Sequence, residues 1–245
     1  MEDLRTPAPT TARKLFSISG VLPLGAFLFL HLWTTAALLT SNGTYERQVG
    51  VLHGGGLVFA LEVLLIIVPL AFHGLYGVVV ALQRRPTSHA YANDVMLSLE
   101  RISGLVVLLF VVAHLRATMV PAWSGHLVVG SYSSRLVEQL STLDSGIPFT
   151  ALGYLVGLAA TVFHLVNGLG SFCRTWGYVR GARAERRATL VFRGVGVALF
   201  VIGSATIITV ATGARFFGPE APATPAPCGS AATPAVNAPL PSASH

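Results

Sequence analysis

Four histidines stand alone in four separate apolar stretches: His31 in AFLFLHLW, His73 in PLAFHGLYG, His114 in LFVVAHLRA and His164 in TVFHLVNGLG. An ionisable side chain in hydrocarbon is costly and is kept for a partner. Neutral imidazole is the commonest metal ligand among side chains. One such histidine reads as readily as a core residue hydrogen-bonded to a neighbouring helix. Four, one per stretch, read as two pairs of axial ligands for two non-covalent b-type haems. A zinc site fits less well, because no Cys, Asp or Glu stands beside either pair to complete a tetrahedron.

The elements that must position these residues are membrane helices. Of 245 residues 53% are hydrophobic and only 11% charged, and mean hydropathy is +0.67. A soluble domain carries about 25% charged residues. Apolar runs at roughly 15–40, 54–82, 102–122, 147–173 and 189–213 are each long enough to cross a hydrocarbon layer of about 30 Å. The first is too long for a signal-peptide core and lacks an A-x-A site behind it. The fold class is therefore an all-α membrane protein, a bundle of five transmembrane helices.

The net charge of +6 reads as topology, not as nucleic-acid binding. With the N-terminus inside, twelve cations fall inside (Arg5, Arg13, Lys14, Arg84, Arg85, Arg101, Arg174, Arg180, Arg183, Arg186, Arg187, Arg193) and four outside (Arg47, Arg116, Arg135, Arg215). This bias predicts a cytoplasmic N-terminus and an external C-terminus. The chain divides into a cytoplasmic segment 1–14, a five-helix domain 15–213, and a Pro/Ala-rich tail 214–245 expected to be disordered. Residues 41–53 and 121–146 are expected as outer loops, 83–99 and 174–188 as inner ones, with no internal repeat. Cys173 and Cys228 form no C-x-x-C or C-x-x-C-H, and no dinucleotide fingerprint, P-loop or nucleophile elbow is present. Any flavin or iron–sulfur cluster must belong to other subunits.

Topology converts position into depth. His31 lies 17 residues beyond Lys14 and His114 lies 13 beyond Arg101, about 26 and 20 Å up their helices. His73 precedes Arg84 by 11 residues and His164 precedes Arg174 by 10, about 15–17 Å from the inner cations. The set divides into an outer pair, His31 with His114, and an inner pair, His73 with His164. Eleven residues is close to three turns, so Gly20, Glu62, Ser103 and Gly153 share faces with the four histidines. The small ones, with Gly77 and Gly168 one turn beyond, leave room for a porphyrin edge or simply let helices pack closely, as in Gly153-x-x-x-Gly157. Glu62 is expected as the one acid deep within a span. It can carry a proton, bind a quinone oxygen, meet a propionate or make a structural hydrogen bond. His53 opens the second span in HGGG, while His89, His126 and His245 are expected to be solvated.

In the order FLFLHLW, FHGLYG, ERISG with VVAHL, and FHLVNG, followed by a fifth helix without histidine, the chain resembles the di-haem cytochrome b membrane-anchor subunit of bacterial succinate dehydrogenase or fumarate reductase. The resemblance covers roughly residues 13–213. Cytochromes of the bc type instead place two histidines on one helix. The resemblance implies a flavoprotein and an iron–sulfur subunit docked on the cytoplasmic side, a place in the bacterial cytoplasmic (inner) membrane, and menaquinone as substrate near the outer haem. Electrons would enter at the inner haem and leave to the quinone, with Glu62, His53, Arg116 and Trp33 as candidates there. Arg174, Arg180, Arg183, Arg186 and Arg187 would dock the soluble subunits, meet inner propionates, or merely orient the helices. Some fumarate reductases of this type carry a Glu two residues before the helix IV histidine. Val162 stands there, which favours the succinate-oxidising direction. The alternatives are a γ-type cytochrome b of a nitrate reductase, formate dehydrogenase or hydrogenase, and a non-redox transporter or scaffold.

Overall fold

The computed structural model describes residues 11–52, 56–82, 94–126, 128 and 130–214. Arg5, His53, Arg84, Arg85, His89, Arg215, Cys228, His245 and all but the first residue of the expected tail 214–245 lie outside the described residues.

Among the described residues, five helices are long and apolar enough to cross a membrane: α1 Thr11–Leu39, α3 Leu57–Leu82, α4 Val95–Trp123 (in a helix that begins at Asp94), α6 Phe149–Thr175 and α7 Ala182–Thr212. Two shorter ones, α2 Asn42–Leu52 and α5 Tyr132–Ser141, link α1 to α3 and α4 to α6. Among the described residues there is no strand. Large apolar side chains point outward: Leu75, Leu109, Val156 and Val201 are all more than half exposed. That inversion of the soluble pattern suits a chain whose solvent is lipid.

Prolines shape two of the spans. Pro23 interrupts α1 just after Leu22, because it has no N–H to give and its ring crowds the preceding turn. In α3, Pro69 follows a wider π-turn over Val63–Ile67, closed by the Val68 N–H on the Val63 carbonyl. A π-turn holds one residue more than an α-turn and turns everything before it by about a quarter turn. Glu62, immediately before that turn, therefore leaves the face of His73. The expectation that the two share a face is corrected by this inserted residue.

The expected loops at 41–53 and 121–146 are also corrected, since each contains a helix. The Ser41 hydroxyl accepts the Thr44 N–H at 3.1 Å and starts α2. Tyr132, Leu136 and Leu140 recur every four residues along α5 and pack on one side, with Leu140 buried. The carboxylate of Glu46, on α2, accepts the backbone N–H groups of Gly130 (2.8 Å) and Ser133 (2.6 Å). An anion thus caps the positive end of α5 and ties the two short helices together.

One core cluster lies under this cap: Ala37, Leu38, Tyr45, Val49, Leu140, Ala151 and Val210. A second runs down the bundle through Leu32, Leu158, Val162 and Leu199. Gly196 and Gly203 of α7 admit α6, for a Cβ on either would lie 2.6–2.7 Å from Val166 or Leu158. Neither cluster includes a residue of α3 or α4. Helix α4 packs on α6 as well, for a Cβ on Gly157 would overlap the Phe110 ring; the histidines meet where α1 faces α4 and α3 faces α6.

Candidate haem-binding site

The four histidines form two pairs. His31 of α1 meets His114 of α4 with ring centres 5.7 Å apart and planes at 81°. His73 of α3 meets His164 of α6 at 6.3 Å and 79°. The partners are those expected from depth along the helices, and the two pairs keep the names outer and inner. Gly20 touches the His73 ring, and His31 lies eleven residues further along the same helix, so the pairs are about 16 Å apart along the bundle.

Two imidazoles on one metal at about 2 Å each place their ring centres about 6 Å apart. Both observed separations match that spacing. All four rings are only partly buried. Among the described residues, no three His, Cys, Asp or Glu side chains converge as a metal site of protein ligands alone needs. An iron already held by four porphyrin nitrogens needs only two.

The ring nitrogens are sorted by their neighbours. His73 Nδ1 lies 3.1 Å from the Phe16 carbonyl oxygen, which can only accept. Nδ1 therefore carries the proton, and Nε2 keeps a free lone pair. The Ser19 hydroxyl donates to that same carbonyl (2.9 Å) and presents its oxygen to His73 Nδ1 at 3.3 Å. The arrangement recurs at the partner ring. The Ser103 hydroxyl donates to the Glu100 carbonyl (3.0 Å), and its oxygen lies 3.3 Å from His164 Nδ1. The Glu100 carboxylate approaches the same Nδ1 at 3.3 Å. In the outer pair, His114 Nδ1 meets the Tyr154 hydroxyl at 3.1 Å. An Nδ1–H held by an outer acceptor, with Nε2 free, is the state of a metal-ligating histidine.

Small residues make room for the inner rings. A Cβ on Gly20 would overlap the His73 ring, and one on Gly104 would come 3.0 Å from His164 Cε1. Gly20 and Ser103 thus face the pair that their own helices do not supply, as expected. Gly153 meets nothing within 4 Å, while Gly77 and Gly168 face Phe16 and the Glu100 carboxylate. The recurring Ile-Ser-Gly at 18–20 and 102–104, and Phe-His-x-x-x-Gly at 72–77 and 163–168, correct the expectation of no internal repeat. Helices α1 and α3 are built like α4 and α6.

Glu100 was missed as an acid within a span because its helix starts at Asp94, well before the apolar run. Its side chain is 13% exposed, so Glu62 is not the one acid inside. Glu62 lies near the cap, where burial, Glu62 and Glu46 together raise the Tyr132 phenol above its usual range. Tyr45, buried beside Glu46, Tyr132 and Tyr154, is pushed up to about 12, mainly by burial. Trp33 is 75% exposed and Arg116 is exposed, so both face outward at the height of the outer pair.

Over 193 residues the chain is 30% identical to the succinate dehydrogenase cytochrome b558 subunit of Bacillus subtilis, covering 78% of this chain and 92% of that one. The chain belongs to this family. No family model and no solved structure matches it. As a member of this family with five membrane-crossing helices, it is a multi-pass membrane protein.

Proposed function

We propose that the chain is the membrane subunit of a succinate dehydrogenase and relays electrons between an iron–sulfur partner at its inner end and menaquinone at its outer end. The observation that carries this reading is the meeting of four histidines from four helices in two pairs at ligating separation. Each pair would hold a haem b, which would supply one-electron transfer. His73 and His164 would hold the inner haem, His31 and His114 the outer.

The cations support the orientation. Arg13, Lys14, Arg101 and the run from Arg174 to Arg193 gather at the inner-pair end, against Arg47, Arg116 and Arg135 at the other. That end faces the cytoplasm, where the iron–sulfur and flavoprotein subunits would dock. Val162 is buried against the Leu199 cluster, so no carboxyl serves as a proton carrier there. This favours succinate oxidation.

The outer end carries the protonatable groups that quinone chemistry needs. Glu62 is the proton carrier in this reading, with Tyr132 and the cap beside it. Gln139 donates to the Ala117 carbonyl at 3.4 Å, one turn beyond His114, while its buried side-chain oxygen has no partner. That oxygen could accept from a quinol hydroxyl. Trp33 and Arg116 would meet a quinone arriving from the lipid side, and His53, outside the described residues, remains a candidate from the sequence.

A pyridine haemochrome assay on the purified complex tests the reading. Two non-covalent haems per chain are expected; one, or none, overturns it.

A further inference from the structure

The repeat that builds the inner pair is broken at one position. Phe16 and Glu100 each stand three residues before the serine and four before the glycine that face an inner histidine. Phe16 stacks on His73 with ring centres 4.5 Å apart and planes at 13°, and offers a neutral carbonyl to Nδ1. Glu100 likewise reaches the His164 ring through its backbone, but adds a carboxylate oxygen 3.3 Å from His164 Nδ1. Its other oxygen is buried without a partner. Gly168 clears the space, for a Cβ there would sit 3.8 Å from Oε1. A carboxylate held this way is costly, and a positive charge beyond the ring would offset that cost.

We propose that Glu100 is a positioning residue for the inner site: its carboxylate takes the Nδ1–H of His164, fixes the ring, and makes that imidazole a stronger donor to the inner iron than the other three. This rests on the two-haem reading above. A carboxylate acceptor raises the basicity of a ligating histidine, and a more basic ligand favours the oxidised metal. The inner haem is thereby held at a lower potential than its neutral surroundings would set.

Redox titration of the haem bands in the intact membrane complex tests this, with electron paramagnetic resonance of the oxidised haems assigning each step. Glu100→Gln keeps the shape and an acceptor but removes the charge. At the parent's inner midpoint it should raise the ferrous-to-ferric ratio of the inner haem at least about tenfold, equal to about 59 mV for one electron. The outer haem should not move. Ser103→Ala, which removes only a neutral acceptor, should change the inner ratio less than about threefold, or about 28 mV at the same conversion. If Glu100→Gln binds both haems and leaves the inner ratio within that threefold margin, the proposal is overturned. Should glutamine expel the inner haem, Glu100→Asp decides: haem retained at the parent's ratio supports the charge, and haem lost again makes Glu100 merely structural. A parent complex with fewer than two haems defeats the underlying reading instead, and is seen before any variant is made.

Discussion

The inner pair is framed by the bundle itself, whereas the outer pair lies beneath helices that do not cross the membrane. Around His73 and His164 stand the paired Ser19 and Ser103 hydroxyls, the Gly20 and Gly104 notches, and a single acid. Around His114 stand Tyr154 and Phe110, with Tyr45, Tyr132, Glu46 and Glu62 close to the same end. One end is equipped to hold a ring in a fixed tautomer. The other adds groups that can exchange protons. An electron relay needs only the first kind, and a site that reduces a quinone needs both. The division of labour proposed for the two ends follows from this difference.

The largest test of the comparison is to remove one pair. His73→Ala or His164→Ala should cost the inner haem alone, and His31→Ala or His114→Ala the outer haem alone, each leaving about half the pyridine haemochrome signal, since bis-histidine ligation needs both rings. Loss of both haems from every single variant would mean that the pairs are not independent sites.

Glu62→Gln sharpens the comparison at the outer end. Glutamine preserves shape and loses the titration. Both haems should remain in the spectrum while succinate–quinone turnover slows roughly ten- to a hundredfold, within the range of a lost acid–base group. Succinate oxidation with a soluble dye should hold, because that path leaves before the outer end. Equal quinone-linked rates in variant and parent would reduce Glu62 to a structural hydrogen bond.

The smallest effect concerns the cap. Tyr45 is raised from 10.0 to about 12 in the folded chain, so the folded state holds this proton more tightly than the unfolded one. Its contribution is complete below about pH 10 and is lost as pH rises towards 12, by roughly 2–3 kcal/mol in all. Denaturation midpoints in detergent should fall over that window for the parent and less steeply for Tyr45→Phe. Parallel curves for the two would remove Tyr45 from the explanation.

The spans and the pairing of the histidines were legible in the sequence, because a lone imidazole in an apolar run stands out and helical rise turns position into depth. The surroundings were not. Hydropathy alone hides α5, whose Tyr132, Leu136 and Leu140 alternate with polar residues, and it places Glu100 outside a helix that in fact begins at Asp94. The face of Glu62 was misjudged because Pro69 forces a wider turn that residue counting ignores. The repeat was obscured because Ile-Ser-Gly returns after 84 residues but Phe-His-x-x-x-Gly after 91, as the two connections differ in length.

That repeat has a geometric consequence. Each histidine meets its own counterpart: His73 the equivalent His164, and His31 the corresponding His114, which stands one place short of the register set by Ile-Ser-Gly. A contact between equivalent residues lies on a two-fold axis, so both histidine pairs lie on the pseudo-axis that relates the two halves. A two-helix chain assembling as a symmetric dimer would already possess both sites, but any change to one face of a haem would be copied onto the other. Joined in a single chain, the halves are free to differ, and Phe16 against Glu100 is where they do.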